Sequence, residues 1–265
     1  MISYAQNYED VILWRALKNV TNGFYIDVGA WDPIDDSVTK WFYENDWRGI
    51  NIEPNIYYWN KLKEARPRDI NLCVAIADTN SYGTLNVIDV SGLSTLDNKV
   101  AQIHVNKGLT SFSEPVKIQT LTSVLDDQIV NDIHFLKIDA EGFETKILEG
   151  LDLARYRPWI IMLEAVNPNT RYKNITDNAD WETLITLGKW HAILEKNKYQ
   201  KVYADGINVF YIADEHSDYK VFFQYPPNVF DNFQIARQMA LEVENSALLK
   251  STSWRITKPL RLLGS

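Results

Sequence analysis

With 265 residues, 46% of them apolar and 12% aromatic, the chain can bury the core of a large α/β domain and is not a disordered polypeptide. Its formal charge of −8, without a basic stripe, argues against a nucleic-acid-binding protein. A single cysteine, Cys73, excludes an internal disulfide and a multi-cysteine zinc site, and it suits a reducing cytoplasm.

Residues 1–10 are polar and carry Glu9 and Asp10, unlike a secretory leader; the longest apolar run, residues 72–77, is too short to span a bilayer. Residues 3–17 have the spacing of a capped amphipathic helix, with Val11, Ile12, Trp14 and Leu17 mostly on one side. The organising stretch follows. Residues 24–28 read as a buried strand, Gly29 to Pro33 as the turn that ends it, and Ser37 as the N-cap of a helix over 38–44. Such a strand, glycine turn and helix start either presents backbone N–H groups to a nucleoside-type ligand or is an ordinary βα connection.

A second short strand over 49–53 ends in Glu53, followed by Pro54. A carboxylate about 20 residues past the glycine turn, at the tip of the neighbouring strand, is placed to accept both hydroxyls of a ribose. Residues 56–65 form a helix stopped before Pro67, and residues 70–77 a third strand. Asp78 at its tip is placed to bond an adenine amino group, with Ile76 and Ala77 packing on the ring; a plain strand-ending turn is the alternative. Strands over 84–90 and 116–120 flank a polar, glycine-containing loop at 91–97, which is either an active-site lid or a connection.

Residues 133–150 are the second informative stretch. Strand alternation puts Lys137 and Asp139 on one face and Leu136 and Ile138 on the other, with Glu141 two residues further on. Unpaired buried charge costs several kcal/mol, so two carboxylates and a lysine here point to a substrate or cofactor site at Asp139 and Glu141. Lys137 is either a partner of Asp139 or part of that site. A strand over 159–166 carries Glu164 near its end. Helices over 181–187 and 190–196 precede two strands, 199–203 and 207–213, joined at Ala204-Asp205-Gly206 as a hairpin. The pattern describes a mostly parallel sheet with one antiparallel strand. Pro226-Pro227 marks a boundary between a domain over 1–228 and a helical, basic tail over 229–265, with a helix over 230–250. Lys250, Arg255, Lys258 and Arg261, interleaved with Trp254, Ile256 and leucines and no acid, suit contact with a membrane surface, with another chain, or a linker role.

Six segments together carry a family resemblance: residues 3–10 (SYAQNYED), 24–30 (FYIDVGA), 47–54 (WRGINIEP), 92–95 (GLST), 135–144 (FLKIDAEGFE) and 205–208 (DGIN). In this order they resemble the FkbM family of S-adenosylmethionine-dependent methyltransferases. The resemblance implies a class I methyltransferase, Rossmann-like fold whose seven-stranded sheet ends in a reversed strand. Carried over position by position, it puts Asp27, Gly29 and Ala30 at the methionine end of the cofactor and Glu53 with Pro54 at its ribose. Ala75, Ile76, Ala77 and Asp78 would hold adenine, Asp139 would face the transfer site, and Gln6, Glu9 and Asp10 would fold over the pocket. Trp31 departs from the family, in which Asn often stands there.

The expected chemistry is O-methylation of a sugar or glycan hydroxyl, of the polysaccharide or O-antigen type. Asp139 or Glu141 would take the proton, or the two would bind a divalent metal that acidifies the hydroxyl, with Glu164 a further candidate. His104 and His134 are set aside as structural. Two rival functions stand beside it. A nicotinamide-dependent sugar oxidoreductase needs glycines where Ala30, Trp31, Asp32 and Pro33 stand, and Asp32 would meet the diphosphate. A catalytically idle cofactor-binding scaffold is disfavoured by the acids at several strand tips. An enzyme working in the cytoplasm, at the inner face of the membrane, would suit the basic tail, and association with further chains stays open.

Overall fold

Side-chain alternation along the second strand decides the layers. Tyr25 points to one side of the sheet and Ile26 and Val28 to the other, and each side is buried under its own apolar cluster. In the computed structural model, which describes residues 1–88, 92–128, 132–165 and 189–257, the chain begins with β1 (Ile2–Ser3), α1 (Glu9–Leu17), β2 (Phe24–Val28), α2 (Lys40–Glu44), β3 (Arg48–Ile52) and α3 (Ile56–Ala65). There follow β4 (Ile70–Leu72), β5 (Ala75–Ile76), β6 (Ser81–Ile88), α4 (Asn98–Asn106), β7 (Ser111–Gln119), α5 (Leu121–Asp126), β8 (Phe135–Ile138) and α6 (Glu144–Glu149). The last described elements are β9 (Ile160–Glu164), α7 (Lys189–Lys196), β10 (Tyr199–Ala204), β11 (Asn208–Ala213), β12 (Gln234–Ile235), α8 (Ala236–Lys250) and α9 (Thr252–Ile256).

Seven strands form the main sheet in the order β4-β3-β2-β8-β9-β11-β10. The first five of these pair in parallel, while β11 runs antiparallel to both β9 and β10. This is the strand order of a class I, Rossmann-like fold. One face is covered by α5, α6 and α7 through Leu121, Leu125, Ile147, Leu148, Trp190 and Leu194. The other is covered by α1 and α2 through Ile12, Leu13 and Phe42, with Trp47 and Phe223. Because β3 pairs on one side of β2 and β8 on the other, a crevice opens at the carboxyl ends of β2 and β8. A smaller sheet, β5-β7-β6, flanks that crevice.

Several elements depart from the sequence expectation, each for a local reason. The first helix starts at Glu9 rather than at residue 3, because Asp10 ties down the residues before it, accepting from Ser3 Oγ (2.7 Å) and the Tyr4 amide (2.7 Å). Ser37 caps nothing: its hydroxyl accepts from the buried Arg66 guanidinium at 2.5 Å, and the short helix begins at Lys40 after Thr39. The expected strand over 70–77 is two strands, β4 in the main sheet and β5 paired with β7 in the smaller one. Strand β7 runs through Pro115, which sits where β7 has β6 on one side only, so its missing N–H disrupts no ladder. Helix α4 has no counterpart in the sequence reading, and the expected helix over 181–187 and residue Val166 lie outside the described residues.

The tail helix starts at Ala236 rather than at residue 230, since Gln234–Ile235 pairs in parallel with Ile2–Ser3. Beside this pairing, Arg15 grips Asp231 at 2.6 Å and Tyr8 packs on Phe233 with ring centroids 5.3 Å apart. Helices α8 and α9 bury no residue fully, and no helix among the described residues is long and apolar enough to cross a membrane.

Candidate active site

The carboxyl ends of β2, β3, β8 and β9 open on one cavity of about 230 Å³. Its geometry starts at Gly29, where β2 ends. With φ at 74°, Gly29 occupies the left-handed region, and a Cβ there would lie 1.8 Å from the Asp139 carbonyl oxygen. Only glycine lets the turn after β2 and the turn after β8 meet backbone to backbone. Trp31, two residues on, also has positive φ (47°) and stands in the cavity wall against Tyr58.

Glu53, at the tip of β3, is 5% exposed. Its two carboxylate oxygens accept the amides of Trp31 (2.9 Å) and Asn55 (2.8 Å), and burial pushes its pKa up to about 7. Ala75 and Ile76 of β5, with Leu85 of β6, supply an apolar stretch of wall nearby. A flat apolar ring and a pair of hydroxyls therefore find matching surfaces side by side.

Asp27 and Lys137 are directly opposite in the parallel register of β2 and β8. The Lys137 ammonium lies 3.2 Å from Asp27 Oδ1 and 3.5 Å from Asp139 Oδ2, and it donates to the Gly29 carbonyl at 2.7 Å. Burial opposes the lysine charge, but Asp27 and Asp139 more than offset it and hold the pKa above the ordinary lysine value. Lys137 is thus a buried cation that fixes the Gly29 turn and orients Asp139. Asp27 completes the arrangement by accepting from Thr39 Oγ1 at 2.8 Å, and Arg66 in turn donates to Thr39.

Beyond Lys137, Asp139, Glu141 and Glu164 bring carboxylate oxygens within 4.8 Å of one another. Glu141 has φ at 47° and Gly142 at 100°, a tight turn whose Ala140 and Gly142 amides both donate to Glu144 Oε1 at 3.1 Å. Burial raises the Glu164 pKa, and the negative charges of Asp139 and Glu141 raise it further. A side-chain hydrogen bond joins Glu164 to Asp139. The trio offers two uses, proton exchange with a hydroxyl or oxygen ligands for a hard divalent cation.

Of the sequence-derived candidates, Gln6, Gly29, Ala30, Glu53, Pro54, Ala75, Ile76, Asp139, Glu141 and Glu164 line this cavity. Four others lie elsewhere. Asp10 is spent on the N-terminal segment, Asp27 faces Lys137 inside the sheet, Ala77 is buried with its carbonyl against Gly150, and Asp78 meets Lys146 at 3.4 Å. Glu9, which the resemblance also folds over the pocket, lines it as well; its Oε1 accepts from Asn208 Nδ2 at 2.7 Å and its Oε2 from the Asn7 amide at 2.8 Å. Burial pushes Glu9 up to about 7. The polar segments 3–10 and 205–208 were visible in the sequence; that they meet at the cavity was not.

No curated protein is a significant sequence match to this chain. Among solved structures, precorrin-6y C5,15-methyltransferase from Geobacter metallireducens GS-15 aligns over 80% of this chain and 91% of its own, at 15% identity and a TM-score of 0.38. The family model of the methyltransferase FkbM domain matches residues 27–201, from the central strand β2 into β10 and across every carboxylate of the trio. By that match over more than half of its length, the chain belongs to the FkbM methyltransferase family.

Proposed function

We propose that this methyltransferase moves the methyl group of S-adenosylmethionine to a hydroxyl of a sugar or glycan acceptor. The observation that carries the proposal is that Glu53 and the Asp139–Glu141–Glu164 trio open on one cavity. The residues present fit the donor, which the family implies. Glu53 retains lone pairs for ribose hydroxyls, Ala75, Ile76 and Leu85 suit an adenine ring, and the acids beyond suit a cation. When bound, S-adenosylmethionine supplies an electrophilic methyl on a sulfonium. The chain's own contribution is to hold the acceptor hydroxyl in line, about 3–3.5 Å from the reacting carbon, and to take its proton. Asp139 or Glu141 takes that proton, with Glu164, hydrogen-bonded to Asp139, a further candidate beside them. Calorimetry should detect S-adenosylhomocysteine binding and no NAD binding. Methyl-labelled S-adenosylmethionine, offered with sugar nucleotides and lipid-linked oligosaccharides, should mark one acceptor class, and transfer to none of them would remove the glycan assignment.

The mutual approach of the three carboxylates also favours a metal-assisted version, in which Asp139, Glu141 and Glu164 hold a divalent cation that lowers the acceptor's pKa. Prolonged dialysis against EDTA separates the two versions: activity lost and restored by Mg²⁺ or Mn²⁺ supports the cation, and unchanged activity supports the carboxylates alone. The tail is consistent with work beside membrane-linked glycans, with Trp254 36% and Ile256 71% exposed among cationic residues. Deleting residues 250–265 should reduce co-sedimentation with phosphatidylglycerol-containing liposomes, and unchanged co-sedimentation would refute this role.

A further inference from the structure

Thr95 lies between β6 and α4, on the loop that the sequence leaves as either lid or connection. Its backbone is fully committed to β6: the Asn86 amide donates to the Thr95 carbonyl at 2.9 Å, and the Thr95 amide donates to the Asn86 carbonyl at 3.0 Å. Its hydroxyl accepts from the Asp97 amide at 3.0 Å and donates to the Glu141 carbonyl at 3.0 Å. The residue is 1% exposed. The peptide it holds is a strained one, since Glu141 sits in the left-handed region at φ 47°, which residues other than glycine rarely adopt. Such a conformation persists only where the surroundings enforce it, and it is this conformation that brings the Glu141 carboxylate to Asp139 and Glu164.

We propose that Thr95 is a positioning residue for methyl transfer. Its hydroxyl anchors the Glu141 carbonyl to the β6 arm, holds Glu141 in the left-handed turn, and so fixes the carboxylate geometry. The proposal rests on the trio serving the reaction, as argued above. Removing the donor leaves a buried carbonyl facing a methyl group, and Glu141 relaxes toward ordinary φ with its carboxylate displaced. Displacements near 1 Å at a reacting group cost about 10²-fold in rate. The donor cradle at Gly29 and Glu53 shares no hydrogen bond with Thr95 among the described residues and should be unaffected.

The test compares Thr95→Val, which keeps the shape and loses the hydroxyl, with Thr95→Ser, which keeps the hydroxyl. In a crystal structure of Thr95→Val, Glu141 should leave the left-handed region and its carboxylate should move away from Asp139, whereas in Thr95→Ser both should stay. S-adenosylhomocysteine affinity by calorimetry should remain within about threefold in both. Turnover of methyl-labelled S-adenosylmethionine with a p-nitrophenyl glycoside acceptor should fall roughly 10- to 100-fold in kcat for Thr95→Val and recover in Thr95→Ser. Should Thr95→Val fail to fold, Thr95→Ala against Thr95→Ser gives the same contrast, since both lack the methyl and only serine donates. An unmoved Glu141 in the valine variant, a serine variant as impaired as valine, or a loss confined to acceptor KM would overturn the proposal. Glu141→Gln is the control on the chemistry itself. If it kept wild-type turnover, the trio's role would fall and Thr95's with it; if it lost turnover while Thr95→Val did not, only the Thr95 proposal would fall.

Discussion

Two acidic regions face the same cavity and are built in opposite ways. Glu53 stands alone, solvated by two backbone amides, with burial as the main influence on its charge. Asp139, Glu141 and Glu164 crowd together, so that each negative charge makes the next harder to hold and the Glu164 pKa is raised. An isolated acid dressed by fixed amides is suited to accepting hydrogen bonds and nothing more. A crowded group whose members resist carrying full charge together is suited to exchanging a proton. Under the proposed function, carboxylates at neighbouring strand tips divide into binding and chemistry according to what surrounds them.

The sharpest way to break the comparison is in the trio. Asp139→Asn should lower kcat by roughly 10³-fold, within the range found for lost general-base catalysis, while S-adenosylhomocysteine affinity stays within about threefold. Similar losses in affinity and rate would mean that the two regions are not separate in function. Glu53→Ala should do the reverse. Two charge-assisted hydrogen bonds to ribose are worth about 1.5–3 kcal/mol each, so calorimetric affinity should drop by at least about 10²-fold, with kcat at saturating donor little changed.

The smallest effect is expected at Glu9, outside both regions but in the same wall. Its pKa is raised from 4.5 to about 7 by burial, so the folded state binds more protons than the unfolded one between those values. Its contribution to stability is therefore fully present below pH 4.5 and is lost as pH rises through 7. Denaturation of the ligand-free protein should show stability falling over this window, and Glu9→Gln should flatten the fall by up to about 3 kcal/mol. An unchanged pH profile in the variant would assign the dependence to Asp10 and Glu53 instead.

Much of this site was legible because its parts sit where strands stop. Gly29, Glu53, Asp139 and Glu164 each follow or end a predominantly apolar strand, and Glu141 lies three residues past the end of one. Parity within a strand was harder to use. Asp27 and Asp139 both looked like pocket acids, yet Asp27 is inside β2 opposite Lys137 and only Asp139 lies beyond the last paired residue. The split of residues 70–77 was hidden in an unbroken apolar run, since nothing in Cys73-Val74 marks a change of sheet. Helix α4 is only nine residues long and polar at Asn98, Lys99, Gln102, His104 and Asn106, so Val100, Ala101, Ile103 and Val105 alone could signal it. Contacts such as Glu9 with Asn208 join residues far apart in sequence, and no local pattern encodes them.

The pairing of Ile2–Ser3 with Gln234–Ile235 has a practical corollary. Severing the polypeptide at the Pro226-Pro227 pair, where composition suggests a natural stop, would strip Arg15 of Asp231 and Tyr8 of Phe233. It would thereby loosen the very segment that brings Gln6 and Glu9 to the cavity. The shortest fragment that keeps its opening residues clasped must extend through Ile235, so the two ends of the domain are trimmed together or not at all.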